Sequence, residues 1–306
     1  MQELRSAIDF LQYEEIIPLL YRLPRSLNEI FNSDFFNPLL EMAKSMETGF
    51  SQVKLLYLMQ KRAKWEHRME VHKILLGKIV YLSSKIASQA ARNTITVTRP
   101  YMPGLVDIDI DYTLEEQPGD PSLIHENLYC YEKILKQNSY VLMLDASNSM
   151  RPEKAAVAAI ATGVFAGKLR NDFYGVLSFA RDTNIIKRLY EPHVLEPLVD
   201  KMLDIETGGA TNIRQALLDG LSLLNESKTM HKTGILVTDG WATKGGDPVE
   251  IAAKFDRLHV LGISFGTGGS DRATNELMAQ KGHGRYRFIR RFDDLPIAIA
   301  KIIANK

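Results

Sequence analysis

Two periodicities divide this chain. In its first third, apolar residues recur with helical spacing. Val71, Leu75, Ile79, Leu82, Ile86 and Ala90 stand three or four apart and line one face of an α-helix. The stretch from Ser51 to Arg92 that carries them has no proline and a single glycine, Gly77. A second helix is expected from Pro38 to Met46. Leu11, Ile16, Ile17, Leu19, Leu20 and Leu23 form a short apolar cluster that Pro24 ends. Lys61, Arg62, Lys64 and Arg68 surround Trp65. With a near-neutral chain they read as a solvated helix face rather than a nucleic-acid patch.

From Ser139 onward, short apolar runs alternate with helical patterns. Strands are predicted at 140–144, 173–179, 184–189, 233–238, 258–264 and 285–289. Helices are predicted at 152–169, 193–203, 212–225, 248–256, 271–281 and 293–303. Strand–helix alternation with short loops implies a doubly wound, mostly parallel α/β sheet. The few residues between 173–179 and 184–189 allow only an antiparallel pairing, so 184–189 becomes an antiparallel edge strand.

Residues 93–120 read as a strand-containing connector. Thr94-Ile-Thr-Val-Thr98 alternates with period two, and so does Asp107-Ile-Asp-Ile-Asp111. The latter invites a calcium-loop reading. Tyr112 stands where such a loop needs glycine, and Pro118 where it needs glutamate, so an acidic-faced strand is preferred. Gln117-Pro-Gly-Asp-Pro121 is a turn-rich break. The domain expectation is a mainly helical part over 1–120 and an α/β domain over 121–306.

Composition narrows the classes. The chain has 306 residues, enough for about two domains, and a formal net charge of +1. That charge offers no bulk field for nucleic acid or an anionic membrane. The one cysteine, Cys130, excludes an internal disulfide and suggests a reducing compartment. Its tyrosine neighbours suggest a half-buried structural thiol. No apolar run reaches the roughly 18 residues of a membrane span. The first residues carry no signal-peptide pattern, so a cytoplasmic location is expected.

The chemistry concentrates behind the apolar run Tyr140-Val-Leu-Met-Leu144, where Asp145-Ala-Ser147-Asn-Ser149 follows. Carboxylates and hydroxyls are hard donors suited to Mg²⁺ or Mn²⁺. The carboxyl ends of strands are where open α/β sheets hold ligands. Gly208-Gly-Ala-Thr211-Asn and Gly234-Ile-Leu-Val-Thr-Asp239-Gly240 add a threonine and an aspartate at two more such places. Taken singly, Ser149 and Thr211 could be helix caps and Asp239-Gly240 a turn. Together and in order, over about residues 137–306, they resemble the metal-ion-dependent adhesion site of the von Willebrand factor A family. Asp145, Ser147, Ser149, Thr211 and Asp239 match the family pattern without substitution. The resemblance implies neutral hydroxyls from Ser147, Ser149 and Thr211, and charge from Asp145 and Asp239, directly or through water. An open position on the ion would take a partner's Asp or Glu. Trp241 is a candidate aromatic anchor on the same rim, or a tryptophan folded onto the domain.

Other chemistry is missing from the sequence. Gly163-Val-Phe-Ala-Gly167-Lys168 is one residue short of a phosphate loop, lacks the following Ser or Thr and falls within a predicted helix. Gly77-Lys78 fails the same test. Gly266-Thr-Gly268-Gly-Ser-Asp271 has Asp271 where a dinucleotide loop needs its third glycine. His67 and His72 are five apart, off a shared helical face.

Helices followed by an A domain look like the companions of MoxR-type AAA+ ATPases, and more distantly like the D subunit of magnesium chelatase. The segment from Asp107 to Glu115 loosely resembles the acidic element ahead of their A domain. The expected function is therefore a metal-dependent interaction protein, without enzymatic activity of its own, that works with a separate ATPase. The alternatives are a Mg²⁺- or Mn²⁺-dependent hydrolase and an adhesion module.

Overall fold

In the computed structural model, residues 36–87, 94–103, 107–116, 128–135, 137–147, 152–205, 207–264 and 269–304 are described. The apolar cluster between Leu11 and Leu23, the break at 117–121 and residues 266–268 of the Gly-rich turn lie outside them. The chain forms two compact units, one of residues 91–138 and one joining residues 1–90 to 139–306.

The larger unit is built on a six-stranded sheet. Its strands are β3 (Ser139–Asp145), β4 (Phe173–Phe179), β5 (Thr183–Lys187), β6 (Lys232–Thr238), β7 (Leu258–Ile263) and β8 (Tyr286–Ile289). The order across the sheet is β5-β4-β3-β6-β7-β8. All neighbours are parallel except β4 and β5, which are antiparallel as the short connection required. The central strand β3 is buried along its whole length, which is why its sequence reads as a continuous apolar run.

The pleat sorts that run between two cores. Tyr140, Leu142 and Leu144 join a core with Ile235, Val237, Leu261 and Ile289. Val141 and Met143 join the opposite one with Leu177, Leu236 and Val260. The first core is covered by α5 (Pro152–Lys168), α6 (Leu195–Leu203) and α10 (Leu295–Ala304). The second lies under α7 (Ile213–Asn225), α8 (Val249–Ala252) and α9 (Arg272–Lys281).

Three amino-terminal helices belong to the first core: α1 (Phe36–Ser45), α2 (Phe50–Arg62) and α3 (Trp65–Ala87). The expected inward face of α3 is Val71, Leu75, Ile79 and Leu82, all buried. α5 lies between these helices and the sheet, and every residue from Ala155 to Ala166 except Thr162 and Gly163 is a buried apolar one. Gly163 and Gly167 make that sandwich possible. A Cβ built on Gly163 would lie 2.3 Å from Ser83 Oγ, and one on Gly167 would lie 2.7 Å from Ala87 Cβ. The near-miss phosphate loop is thus a helix–helix contact, sealed by a 3.2 Å hydrogen bond from the Ser83 hydroxyl to the Ile160 carbonyl.

This core changes the expected division at residue 120. The helices over 36–87 share their apolar interior with the α/β domain, and residues 91–138 separate as the second unit. Within that second unit, β1 (Thr94–Pro100) pairs antiparallel with β2 (Tyr129–Leu135). The acidic-faced strand expected at 107–111 is replaced by a cap and a short helix, α4 (Ile110–Glu115). The carboxylate of Asp109 accepts the Tyr112 N–H at 3.1 Å and the Thr98 hydroxyl at 2.6 Å. A side chain so used terminates extended structure and starts a helix. Cys130 is fully buried, more deeply than the half-buried thiol expected.

Smaller differences have local causes. The long helix expected across 51–92 breaks at Ala63, whose extended backbone caps α2. Arg68 then donates to the Ala63 carbonyl at the break, and Lys61 donates to the Leu203 carbonyl at the end of α6, so both cations serve helix carboxyl ends. α8 stops at Ala252 rather than 256, and β5 ends at Lys187 rather than 189.

Candidate metal centre

Asp145 is the last residue of β3 and is 1% exposed. One carboxylate oxygen accepts the backbone N–H of Ser147 at 2.9 Å, and the other accepts the Thr238 hydroxyl at 2.7 Å. Thr238 closes β6, which pairs with β3, so register alone brings its hydroxyl there. Burial pushes the Asp145 carboxyl up to about 6. The hydrogen bonds from Ser147 and Thr238 pull the other way, and the nearby charge of Asp239 adds to the rise.

Asp239 follows Thr238 directly and is also buried. One of its carboxylate oxygens accepts the Trp241 N–H at 3.0 Å, a bond permitted by Gly240 with φ of 87°. Its carbonyl accepts the Ser270 hydroxyl and the Asp271 N–H, both at 2.8 Å. Trp241 itself is 51% exposed.

Thr211 sits in the loop before α7 and is 6% exposed. Its N–H donates to the Thr243 hydroxyl at 2.8 Å, and its carbonyl accepts the N–H groups of Thr243 and Lys244. The Gly208 N–H donates to the Ala146 carbonyl at 2.9 Å, and the Asn212 N–H to that of Ala180. Asn212 also caps α7 by accepting the Gln215 N–H at 3.1 Å. Four connections are thereby strapped to one another at the carboxyl edge of the sheet.

Asp145, Ser147, Thr211 and Asp239 therefore gather on one edge, all buried. Ser149 lies outside the described residues. Two buried carboxylates that raise each other's energy, set among hydroxyls, fit a hard dication. Among the described residues no group of three or more His, Cys, Asp or Glu side chains could hold a metal ion, so an ion at this edge would depend on hydroxyl oxygens as well as the two carboxylates. Sequence reasoning missed Thr238 and Thr243. Thr238 is adjacent to a recognised aspartate, and strand pairing was the signal that could have found it. Thr243 supports a backbone, which leaves no signature in residue type.

The von Willebrand factor type A domain model matches residues 141–301, which contribute to both cores and include the strapped loops. The chain belongs to the von Willebrand factor type A domain family. Membership makes it a protein-interaction or adhesion module, since these domains mediate protein–protein contacts. No curated protein matches the chain. Among solved structures it is similar to an aerotolerance-related membrane protein from Bacteroides fragilis, with 17% identity over 55% of this chain and 100% of that one, TM-score 0.44. It is also similar to the conserved hypothetical protein BatB from Bacteroides thetaiotaomicron, with 21% identity over 55% and 98%, TM-score 0.46. A third is proximal thread matrix protein 1 from the mussel byssus, whose adhesion-site motif holds zinc, with 19% identity over 55% and 47%, TM-score 0.47. Among the described residues no helix of this von Willebrand A protein is long and apolar enough to cross a membrane.

Proposed function

We propose that this von Willebrand A protein is a metal-dependent docking module that works with a separate AAA+ ATPase of the MoxR type. Asp145, Ser147, Ser149, Thr211 and Asp239 would hold Mg²⁺ or Mn²⁺, directly or through water. The ion would supply a charged anchor for an Asp or Glu side chain of a partner protein. The observation that carries the reading is the convergence of Asp145, Ser147, Thr211 and Asp239, all buried, at the carboxyl edge of the sheet.

The chain's own residues do the positioning. Thr238 and the Ser147 N–H fix the orientation of Asp145. Thr243 holds the backbone of Thr211, and Gly240 turns the chain so that the Trp241 N–H steadies Asp239. Trp241 offers half-exposed aromatic surface beside the site, the kind of residue enriched in binding hot spots. The ATPase partner is proposed from the resemblance to MoxR companions, and a cytoplasmic setting follows from the same reading.

The test is affinity capture on the full chain in Mg²⁺, repeated with EDTA and with Thr211→Ala. Capture of an AAA+ ATPase that falls at least tenfold, about 1.4 kcal/mol, in both altered arms supports the proposal. Equal capture in all three arms means that the binding surface lies elsewhere. Purified chain that hydrolyses ATP after rigorous repurification would overturn the non-enzymatic part.

A further inference from the structure

We infer that a cavity bounded by β7, β8 and α10 binds a phosphate-bearing anion, gripped by Arg285, Arg287 and Lys301 with His259 in its wall. The cavity measures about 170 Å³ and is lined by these four residues together with Tyr286 and Ile302. It lies where β7 and β8 begin, at the sheet edge opposite the metal centre. It is independent of the docking function proposed above.

Alternation along β8 builds the grip. Arg287 and Ile289 share one face of the strand, and Arg285, one residue ahead of it, keeps the same alternation. Ile289 is buried in the core with Leu295, Ile299 and Ile303 of α10, so that face is the one turned to the helix carrying Lys301. Three cations converge, yet among the described residues none of them pairs with a carboxylate. Elsewhere on the surface the usual pairs form, such as Arg188 with Glu226 and Arg214 with Glu250.

His259 adds a neutral donor. It is 8% exposed, and its Nδ1 accepts the Arg285 N–H at 3.0 Å. The proton of the neutral ring therefore resides on Nε2. Three positive side chains and one N–H complement an oxyanion carrying more than one charge, and arginine pairs suit phosphate geometry. The volume admits one tetrahedral oxyanion with several waters, at about 30 Å³ per water.

A competing explanation is that charges on the edge strand β8 deter pairing with another chain. That would account for Arg285 and Arg287. It does not call for Lys301 on a helix, or for a buried histidine and a cavity between them.

Calorimetric titration of the full chain with inorganic phosphate and pyrophosphate, at constant ionic strength set with chloride, tests the inference. Saturable binding that weakens at least tenfold in Arg287→Gln/Lys301→Gln, and is unchanged in Asp145→Ala, supports it. Both substituted side chains are exposed, and thermal melting checks that the variant folds. Flotation with phosphatidylcholine vesicles, with and without phosphatidic acid, separates the sources. Retention only with phosphatidic acid assigns the phosphate to a lipid headgroup, and soluble binding without retention assigns it to a small molecule. Heats that are absent in wild type, or unchanged in the double variant, overturn it.

Discussion

The Thr238 hydroxyl donates to Asp145 Oδ2 across the β3–β6 pairing, and both side chains are closed to solvent. Thr238→Val keeps the shape and removes the donor. The buried carboxylate then loses one of its two partners, which costs about 1–3 kcal/mol in stability. Mg²⁺ or Mn²⁺ affinity should fall about tenfold, with recovery in Thr238→Ser. Asp145→Ala should abolish ion binding and leave the fold intact. Calorimetry and denaturant unfolding read both effects, and unchanged affinity in Asp145→Ala would remove the metal assignment.

Gly163→Ala should destabilise the protein, although alanine favours helix over glycine by about 1 kcal/mol. The new methyl group would meet Ser83 Oγ and Cβ on α3. Overpacking of this kind costs about 1–3 kcal/mol. Ser83→Gly clears both atoms, so the double variant should recover part of the loss. Strict additivity in a denaturation cycle would show that the two helices do not press together there.

Acid should weaken the fold through His259. Burial, with Arg257 and Arg285 nearby, pushes its pKa down to about 4 from an ordinary 6.5. The unfolded chain takes up this proton below about 6.5, while the folded chain resists until about 4. Stability from this residue is complete above that window and declines as pH falls through it, by up to about 1.4 kcal/mol per pH unit. The groups facing the ring are Arg257 from the turn before β7, Arg285 just ahead of β8, Arg287 from β8 and Lys301 from α10. Unfolding in phosphate-free buffer at pH 7, 5.5 and 4.5 should show a steeper loss for wild type than for His259→Gln.

A chain beginning near Ser139 should aggregate or unfold as a loose globule. It would lack Val71, Leu75, Ile79 and Leu82, which share a core with α5. A cooperative, monomeric unfolding transition in that fragment would show that the amino-terminal helices are dispensable.

The sheet was legible because its signals are local. The run from Tyr140 to Leu144 could only be a doubly buried strand, and 173–179 matched its strand to the residue. The placement of Asp145, Thr211 and Asp239 at the carboxyl edge was legible because each follows a strand or glycine turn. Asp109 was misread because alternation outweighed capping, and only the tertiary bond from Thr98 decides between them. The shared core of α3 and α5 was illegible for another reason. Glycines 163 and 167 answer to Ser83 and Ala87, about eighty residues away, and no window along the chain joins them. The cationic cavity likewise depends on β8 meeting α10.

The burial of α5 on both sides bears on how the polypeptide is made. A helix apolar all round has no stable solvent-facing state of its own. Synthesis runs from the amino terminus, and segments organise in that order. α1, α2 and α3 thus leave the ribosome before α5, and the surface that receives its outer side can exist when α5 emerges. Moving those helices to the other end of the gene would reverse that order and leave a bare Ala- and Val-rich segment exposed until translation finished.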